Sequence, residues 1–501
     1  MKNVNMIFYF SLLLMLFSGP AVTVFFKENP LLSAKILSRT VWVGFIVALV
    51  GRFFLIPQQF SPVSAVFQVT PLSWIIAILV LFIGGIIHSF SIRYFDGARR
   101  YFSIFLSFNL STLLILIEVI TDHMLFLFIF SYLSSLLLCR LMVHQPRWTA
   151  AKASGALAFK TLAAGHGLFL VGILFLFKHY KTWSLSAMTT RSTSFSFEQV
   201  LGLFFIAVAA LIRSANWPFH RWLKNSVNSP TPVSAFMHAG LVNGGGIIML
   251  RFAPLLIDYP LLLQTIFIIG LLSALLGTVW KLLQSTIKST LAFSTIAQMG
   301  FMMMQCGMGL FPAALSHLFW HGIYKCHQFL RSGSALFDEK PPNGSRNGYF
   351  PLLLSILGGF FAVLGLDSLD LSGRTDSFLL NLLVWMSGAQ IIYDGLNQSS
   401  LLIQFLKAIP LVFLGGLFYS VNIFCIEKAL FPFVFPKIEP SSSVYYFGTG
   451  LLLLSWFLKN LVPLLSRQGS GKIIKAFYVF TLNRSQPERR TLTLKRHHYR
   501  A

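Results

Sequence analysis

Charged residues are scarce in this chain of 501 residues: only 11% are charged, against roughly a quarter in a soluble domain. Hydrophobic residues make up 55% of the chain, and phenylalanine alone occurs 52 times. So little charge is not enough to cover the surface of a water-soluble protein of this size. Because lipid accepts apolar side chains on the outside of a protein, the composition predicts an integral membrane protein and excludes a soluble fold.

Cysteine and the common catalytic motifs are also scarce. The four cysteines are scattered and form no Cys-x-x-Cys pair, so disulfide and zinc roles are minor alternatives. The sequence contains no Rossmann fingerprint, P-loop, iron–sulfur cysteine spacing or nucleophilic triad. We therefore expect no catalysis, no metal site and no cofactor in this chain alone.

Acidic residues are also scarce in this chain. The chain has 39 Lys and Arg against 15 Asp and Glu, a net charge of +24. Such an excess also occurs in nucleic-acid-binding proteins, but in a membrane protein it reflects basic loops that stay in the cytoplasm. We therefore expect membrane lipid as a partner and no nucleic acid.

Apolar stretches long enough to cross a bilayer occur throughout the chain. The first stretch resembles a signal peptide, but it lacks a convincing cleavage site and more spans follow, so a retained helix is favoured. We predict an all-α integral membrane protein with about 13–15 transmembrane helices in residues 1–465, followed by a basic cytoplasmic tail, residues 466–501. The fifteen predicted helix centres lie near residues 15, 48, 82, 111, 133, 167, 206, 242, 268, 298, 320, 358, 385, 415 and 454.

Loop charges predict the orientation of these helices. One side of the membrane, together with the tail, receives 25 Lys and Arg, whereas the other side receives seven. Since basic loops stay in the cytoplasm, the N-terminus is predicted outside and the C-terminus inside a bacterial inner membrane. The tail is predicted to be solvated and to touch anionic lipid, with docking of a soluble partner as the alternative.

The most informative ionisable residues recur every four positions in S-H-L-F-W-H-G-I-Y-K: His317, His321 and Lys325. On a helix this spacing places the three side chains in one column, with a rise of about 6 Å per step. Ionisable groups at bilayer depth are costly, and imidazoles and a desolvated amine can exchange protons near neutral pH. The column therefore predicts a proton path. Hydrogen bonding between helices and a His-x-x-x-His metal site without a third ligand remain alternatives.

Helix-breaking prolines accompany a second group of ionisable residues. The apolar helix that carries Arg213 breaks at Pro218, and Pro230 and Pro232 stand in the first turn of the next helix. Interrupted helices expose backbone groups, which lipid forbids unless these groups line a cavity. The stretch predicts discontinuous helices beside an ion path, with a simple packing kink as the alternative.

Further polar residues complete the predicted path. His238 lies two turns inside the helix that the prolines open, and Asn243 precedes three glycines that permit close backbone approach. Lys288 begins the polar-rich helix I-K-S-T-L-A-F-S-T-I-A-Q-M-G. Glu118 is an accessory candidate because a buried acid would partner these cations, although it also suits a helix interface.

Four stretches together resemble the antiporter-like membrane subunits of respiratory complex I, including its subunit 5, and the large subunit of cation/proton antiporters. They are R-S-A-N-W-P-F-H-R-W-L, S-P-T-P-V-S-A-F-M-H-A-G, I-K-S-T-L-A-F-S-T-I-A-Q-M-G and L-S-H-L-F-W-H-G-I-Y-K-C-H-Q-F-L, and strong similarity covers about residues 200–335. The resemblance implies an antiporter-like fold with its core in about residues 100–335. It also maps the proton-path positions of the family onto Arg213, His238, His317, His321 and Lys325.

Within that family, H-A-G-L-V-N-G-G-G and Y-K-C-H-Q-F-L-R-S-G-S-A are similar to the DabB branch, the membrane subunits of DAB-type inorganic carbon transporters. This resemblance implies a soluble DabA-like partner whose zinc site is similar to that of β-carbonic anhydrase. The membrane subunit would pass protons or Na+, and the partner would hydrate CO2 to bicarbonate. The alternatives are a proton-translocating subunit of a complex-I-like NADH:quinone oxidoreductase, hydrogenase or cation/proton antiporter, and a stand-alone channel or scaffold.

The sequence also departs from the family pattern. Arg213 replaces the usual lysine, and arginine keeps its proton because its pKa lies above about 12. The usual glutamate of the fifth helix falls near Tyr132, and the helix around residues 356–366 has no membrane lysine. These departures favour a single conducting path that feeds the partner's chemistry over a complete complex-I-style pump.

Overall fold

The computed structural model describes residues 4–54, 66–189, 196–333, 349–369, 378–396, 401–430, 443–465 and 472–492. In these ranges the chain consists of helices and connections, with two isolated β-bridges. Nine of the described helices are long and apolar enough to cross a membrane. The predicted all-α membrane fold with discontinuous helices is confirmed.

Contacts divide the chain into two compact units. The first unit comprises residues 1–307, 317–333 and 485–501. Its helices are α1 (Val4–Phe25), α2 (Pro30–Phe54), α3 (Pro71–Tyr94), α4 (Tyr101–Ile120), α5 (Met124–Met142), α6 (Thr149–Tyr180), α7 (Leu185–Thr189), α8 (Phe197–Arg213), α9 (Arg221–Lys224), α10 (Thr231–Ala239), α11 (Gly244–Leu256), α12 (Pro260–Leu282), α13 (Ile287–Gly307) and most of α14 (Phe311–Arg331).

The second unit comprises residues 308–316 and 334–484. Its remaining helices are α15 (Tyr349–Asp367), α16 (Phe378–Gly395), α17 (Leu401–Leu430), α18 (Ser443–Leu465) and most of α19 (Lys472–Ser485). If α10 and α11 count as one interrupted segment, the long helices through α18 follow the predicted order. The second of them begins at Pro30 and therefore lies earlier than a centre near residue 48 implies.

Local sequence signals explain where helices begin. At α3, the Thr70 side chain accepts a hydrogen bond from the Ser73 backbone, and the Ser73 hydroxyl oxygen accepts one from the Thr70 backbone. This capping box satisfies two donors that a helix start leaves open, and proline occupies the first helical position. The helix then buries Trp74 against Tyr9, whose hydroxyl donates to the Leu116 carbonyl at 3.1 Å.

The predicted discontinuous helices lie between α8 and α11. Helix α8 ends at Arg213, and a non-helical segment containing Pro218 leads to α9 and the 3-10 helix Asn225–Asn228. Pro230 caps α10, and Pro232 lies in its first turn. A second 3-10 turn, Leu241–Asn243, then separates α10 from α11.

The described part of the tail differs from a uniformly solvated end. The Asn225 side-chain oxygen accepts hydrogen bonds from the Glu488 backbone at 2.7 Å and the Thr491 hydroxyl at 2.8 Å. Lys224 donates to the Gln486 carbonyl at 3.0 Å, and Thr491 is only 2% exposed. The basic composition of the tail predicts solvation, but these bonds use backbone groups and small side chains that composition does not reveal. We call residues 486–491 the tail segment.

Two neighbouring glycines of α17 allow a matched test of helix packing. A methyl group on Gly416 would overlap the Ala362 carbonyl oxygen of α15, whereas one on Gly415 would meet nothing within 4 Å. We expect Gly416→Ala to lower the free energy of unfolding by about 1–3 kcal/mol, the usual cost of overpacking. Gly415→Ala should leave stability unchanged or raise it, because alanine favours helices. Thermal melting of both variants in detergent measures this, and equal melting temperatures would contradict the packing.

Candidate functional site

A buried ion pair joins α8 to α4. The Arg213 guanidinium donates from Nη1 to Glu118 Oε1 at 2.6 Å and from Nη2 to Oε2 at 3.0 Å. The two side chains are 4% and 2% exposed, so the pair is bidentate and shielded from solvent. Glu118, expected as an accessory acid, is therefore the partner of Arg213. The acid that pairs with Arg213 therefore comes from the fourth helix, not the fifth.

Ser131 and His166 extend this pair into a hydrogen-bonded group. Arg213 Nη1 also donates to the Ser131 hydroxyl oxygen, and that hydroxyl lies 3.1 Å from His166 Nε2. His166 Nδ1 lies 2.8 Å from the Leu162 carbonyl, which accepts only if Nδ1 carries the hydrogen. In neutral His166, Nε2 is then the acceptor for Ser131. The hydroxyl therefore links a fixed cation to a titratable ring.

Arg251 of α11 is a second arginine that contacts the end of α4, next to Glu118. Its guanidinium donates to the Glu118 carbonyl at 2.8 Å and to the Thr121 carbonyl. These are carbonyls at the end of α4, where a cation is favourable because it complements the helix dipole. Arg251 thus holds the segment that positions the Glu118 carboxylate.

The predicted column lies inside the first unit on α14. The His317 and His321 rings are stacked with centroids 5.9 Å apart, as expected one helical turn apart. The His317 ring lies against the backbone of Gln298, and the His321 ring lies against the backbone of His238. Lys325 is 0% exposed, and its amine donates to the Leu291 carbonyl at 3.3 Å. The spacing of the sequence therefore places the three side chains on one face, where His321 and Lys325 are buried and His317 is half-buried.

His238 of α10 lies next to this column. Its Nδ1 lies 3.0 Å from the Thr295 hydroxyl oxygen, whose own hydrogen goes to the Leu291 carbonyl. Nδ1 is therefore the donor, and the ring stacks on Phe329 with centroids 4.3 Å apart. Leu291 accepts from both Thr295 and Lys325, so one backbone carbonyl connects the histidine of α10 to the lysine of α14.

The interrupted segment between α10 and α11 connects the two groups. A methyl group on Gly244 would overlap the Arg213 guanidinium, so only glycine permits this close approach. On the other side, Asn243 Nδ2 lies beside Gly322 of α14. A cavity lined by Arg213, Asn243, Phe236 and other residues lies here, with room for about one or two waters.

Several buried polar atoms along this route have no hydrogen-bond partner within the described protein. They are Arg213 Nε, Asn243 Oδ1, His317 Nε2, His321 Nε2 and both side-chain polar atoms of Asn216. Buried polar atoms are normally satisfied, by protein or by water. Such a concentration along one line predicts ordered water between the groups.

Lys288 is set apart from the other predicted residues. Its amine donates to the Ser229 carbonyl at 2.8 Å, just before Pro230. It therefore holds the start of α13 against the start of α10. The structure brings together His238, His317, His321 and Lys325 as one group and Arg213 with Glu118 as another, and Lys288 lies at neither centre.

Sequence reasoning missed Ser131, His166 and Arg251. His166 interrupts the run L-A-A-G-H-G in an otherwise apolar helix, and Arg251 lies in the apolar stretch after the three glycines. An ionisable residue inside an apolar stretch is a functional signal by itself, so both were detectable. Ser131 had no distinguishing signal, because serines are common in membrane helices.

The arrangement separates a fixed charge from titratable ones. Arg213 and Glu118 neutralise each other in a buried ion pair. The other group consists of three histidines and a lysine, which are side-chain types that can exchange protons. In the described ranges, no group of three His, Cys, Asp or Glu side chains is placed to hold a metal ion.

Known proteins are similar to this chain in sequence and in fold. Residues 121–360 match the family model described as NADH:quinone oxidoreductase/Mrp antiporter, TM. The fold matches a chain in the Mrp complex from Dietzia sp. with a TM-score of 0.60 and 19% identity. That match covers 95% of this chain and 55% of the solved one.

Curated relatives with detectable sequence similarity fall into two groups. A probable inorganic carbon transporter subunit, DabB1 of Halothiobacillus neapolitanus, is 28% identical over 75% of this chain and 72% of the relative. The corresponding DabB of Bacillus subtilis is 38% identical over 53% of each chain. The chloroplastic NAD(P)H-quinone oxidoreductase subunit 5 of Brachypodium distachyon is 30% identical over 63% of this chain and 46% of its own. The chain is therefore similar to DabB subunits and to subunit 5 of the quinone oxidoreductases, and it shares the antiporter-like membrane model over residues 121–360.

Proposed function

We propose that this chain is the ion-conducting membrane subunit of an inorganic carbon transporter. The observation that carries the proposal is the fully buried amine of Lys325, one helical turn from His321 and joined to His238 through Leu291. A desolvated ionisable column of this kind is costly unless it has a function. Similarity to DabB subunits over most of the chain supports inorganic carbon as the cargo.

Protons would move between neighbouring groups of the column. His317 and His321 are stacked one turn apart, and each has a buried Nε2 that one intervening water can reach. Lys325 receives or releases the proton at the end of the column, and Thr295, the partner of His238, shares its Leu291 carbonyl. Arg213 does not shuttle protons; with Glu118 it sets the potential that the moving charge meets. In this proposal Na+ is the alternative coupling ion.

The chemistry of carbon would take place in a soluble partner. A DabA-like zinc subunit would hydrate CO2 to bicarbonate on the cytoplasmic side, and the ion gradient would give the reaction its direction. This division suits a chain in which no catalytic motif is found. The alternative is a proton-translocating subunit of a complex-I-like oxidoreductase, favoured by the similarity to subunit 5.

Complementation tests the proposed function. The chain and the soluble protein that co-purifies with it should restore growth in air to a bacterium that requires elevated CO2. A protonophore should abolish the restored uptake if protons are the coupling ion, and a sodium ionophore should do so if Na+ is. Co-purification with quinone-reductase or hydrogenase subunits, and no restored growth, would favour the alternative.

The orientation is also part of the proposal. We expect an outside N-terminus and a cytoplasmic C-terminus in a bacterial inner membrane, because 25 basic residues lie on one predicted side and seven on the other. Alkaline phosphatase fused after Thr189 should be active, since this enzyme folds only outside the cytoplasm. Phosphatase fused after Leu283 should be inactive. The reverse pattern would contradict the orientation.

A further inference from the structure

His166 is a buried titratable group that the proposed column does not use. It lies on α6, where it is 6% exposed and follows Gly165, whose missing side chain leaves room for Ile212 of α8. Its Nδ1 is committed to the Leu162 carbonyl of its own helix at 2.8 Å. The ring is therefore held in one orientation, with Nε2 directed at α5.

The direction of each hydrogen bond around Ser131 is determined by the chemistry of its neighbours. A guanidinium can only donate, so the Ser131 oxygen accepts from Arg213. The Ser131 hydroxyl hydrogen is then available to His166 Nε2 at 3.1 Å. A proton added to Nε2 turns that nitrogen into a donor, and the serine hydrogen must leave this bond. The hydrogen bonding of the Ser131 hydroxyl therefore depends on the charge on His166.

The surroundings of His166 are mainly apolar, with charge from one direction. Arg213 of α8 and Glu118 of α4 are the charged groups that act on the ring, and the Tyr132 ring of α5 lies 5.4 Å away. A small cavity lined by Ser131, His166, Arg213 and apolar residues has room for about one water. A proton carrier therefore has access to Nε2.

We propose that His166 is a second proton-accepting site of the transporter and that Ser131 transmits its charge to the Arg213–Glu118 pair. A proton from the cavity binds Nε2 and leaves by the same route. While it is bound, the imidazolium donates to Ser131, and repulsion between the two cations weakens the hold of Ser131 on Arg213. The guanidinium then relies on Glu118 alone. This inference rests on the proposed ion-conducting function and adds a titratable group at the position where the family acid is missing.

Ion flux across proteoliposomes tests the proposal. Wild-type flux should change over the pH range in which His166 gains and loses its proton. His166→Gln keeps hydrogen-bonding groups but cannot titrate, so its flux–pH profile should lose the change that His166 contributes and keep the change that the α14 column contributes. His179→Gln, on the same helix, is the matched control and should keep the wild-type profile. Ser131→Ala should retain flux, but the midpoint of its flux–pH profile should differ from that of the wild type.

A spectroscopic measurement separates this role from a purely structural one. In ¹⁵N-histidine NMR, the resonance lost in His166→Gln should show hydrogen on Nδ1 and none on Nε2 at high pH. It should gain a hydrogen on Nε2 as the pH falls. A His166 signal that stays neutral over the whole pH range in which flux changes, or a wild-type flux profile in His166→Gln, would overturn the proposal.

The outcome for Lys325→Ala distinguishes this inference from the proposed function. If that variant abolishes flux at every pH but His166→Gln behaves as wild type, only the role of His166 fails. If Lys325→Ala conducts normally, the proposed function fails. Thermal melting of each variant in detergent confirms that folded proteins are being compared.

Discussion

Replacing Lys325 with alanine is expected to reduce ion-driven carbon uptake by at least about a hundredfold, the range in which loss of a positioned proton carrier falls. The amine is 0% exposed and makes a long hydrogen bond to Leu291, so alanine removes the carrier without leaving a buried charge unpaired. The protein should therefore remain folded. Growth in air and flux into proteoliposomes both measure the loss.

His327→Ala is the matched control for this variant. His327 lies on the same helix, two residues further on, but its side chain is exposed. Uptake in this variant should equal that of the wild type. Unimpaired uptake in Lys325→Ala, with normal amounts of protein in the membrane, would show that the column does not carry the ion.

Removing Glu118 is expected to destabilise the protein more than removing the whole ion pair. Glu118→Leu leaves Arg213 buried without its counter-ion, which typically costs about 3–5 kcal/mol. The double variant Glu118→Leu, Arg213→Met replaces both charges with apolar side chains, and such replacements are often neutral or stabilising. In thermal melting in detergent, the wild type and the double variant should therefore have similar melting temperatures, and the single variant should melt at a much lower temperature.

The double variant also separates stability from transport. If the fixed charge at Arg213 sets the potential along the path, the double variant should fold well and still lose flux. A single variant as stable as the wild type would contradict the buried ion pair. A double variant with normal flux would show that the pair has only a structural role.

The architecture was predictable because one strong signal dominates it. Apolar stretches of membrane length identified the helices, and the prolines at residues 218, 230 and 232 identified the interruptions between α8 and α11. Helical spacing also placed His317, His321 and Lys325 on one face, since residues four apart necessarily share one. In each case, residues that are close together in the sequence determine the structural feature.

The pairing of residues on different helices was not predictable in the same way. Glu118 and Arg213 are 95 positions apart, and Ser131 and His166 are 35 apart, so no local spacing links them. The resemblance directed attention to the fifth helix, where the family acid is absent. The acid that pairs with Arg213 comes instead from the fourth helix, which only the packing of α4 against α5 and α8 could reveal.

The tail segment shows a similar limit. Its basic neighbours predict contact with solvent and lipid, but Asn225 and Lys224 of the discontinuous helix region hold it through backbone groups. Backbone groups are the same in every residue, so their partners cannot be deduced from side-chain composition.

The central claim is that a hydrated line of polar groups crosses the first unit from Arg213 to Lys325. Electron cryo-microscopy of the protein in lipid nanodiscs, at a resolution that shows ordered water, tests this claim most directly. We predict water density against Arg213 Nε, Asn243 Oδ1 and His321 Nε2. Continuous apolar packing between Arg213 and the α14 column, or side chains of the column turned toward lipid, would contradict it.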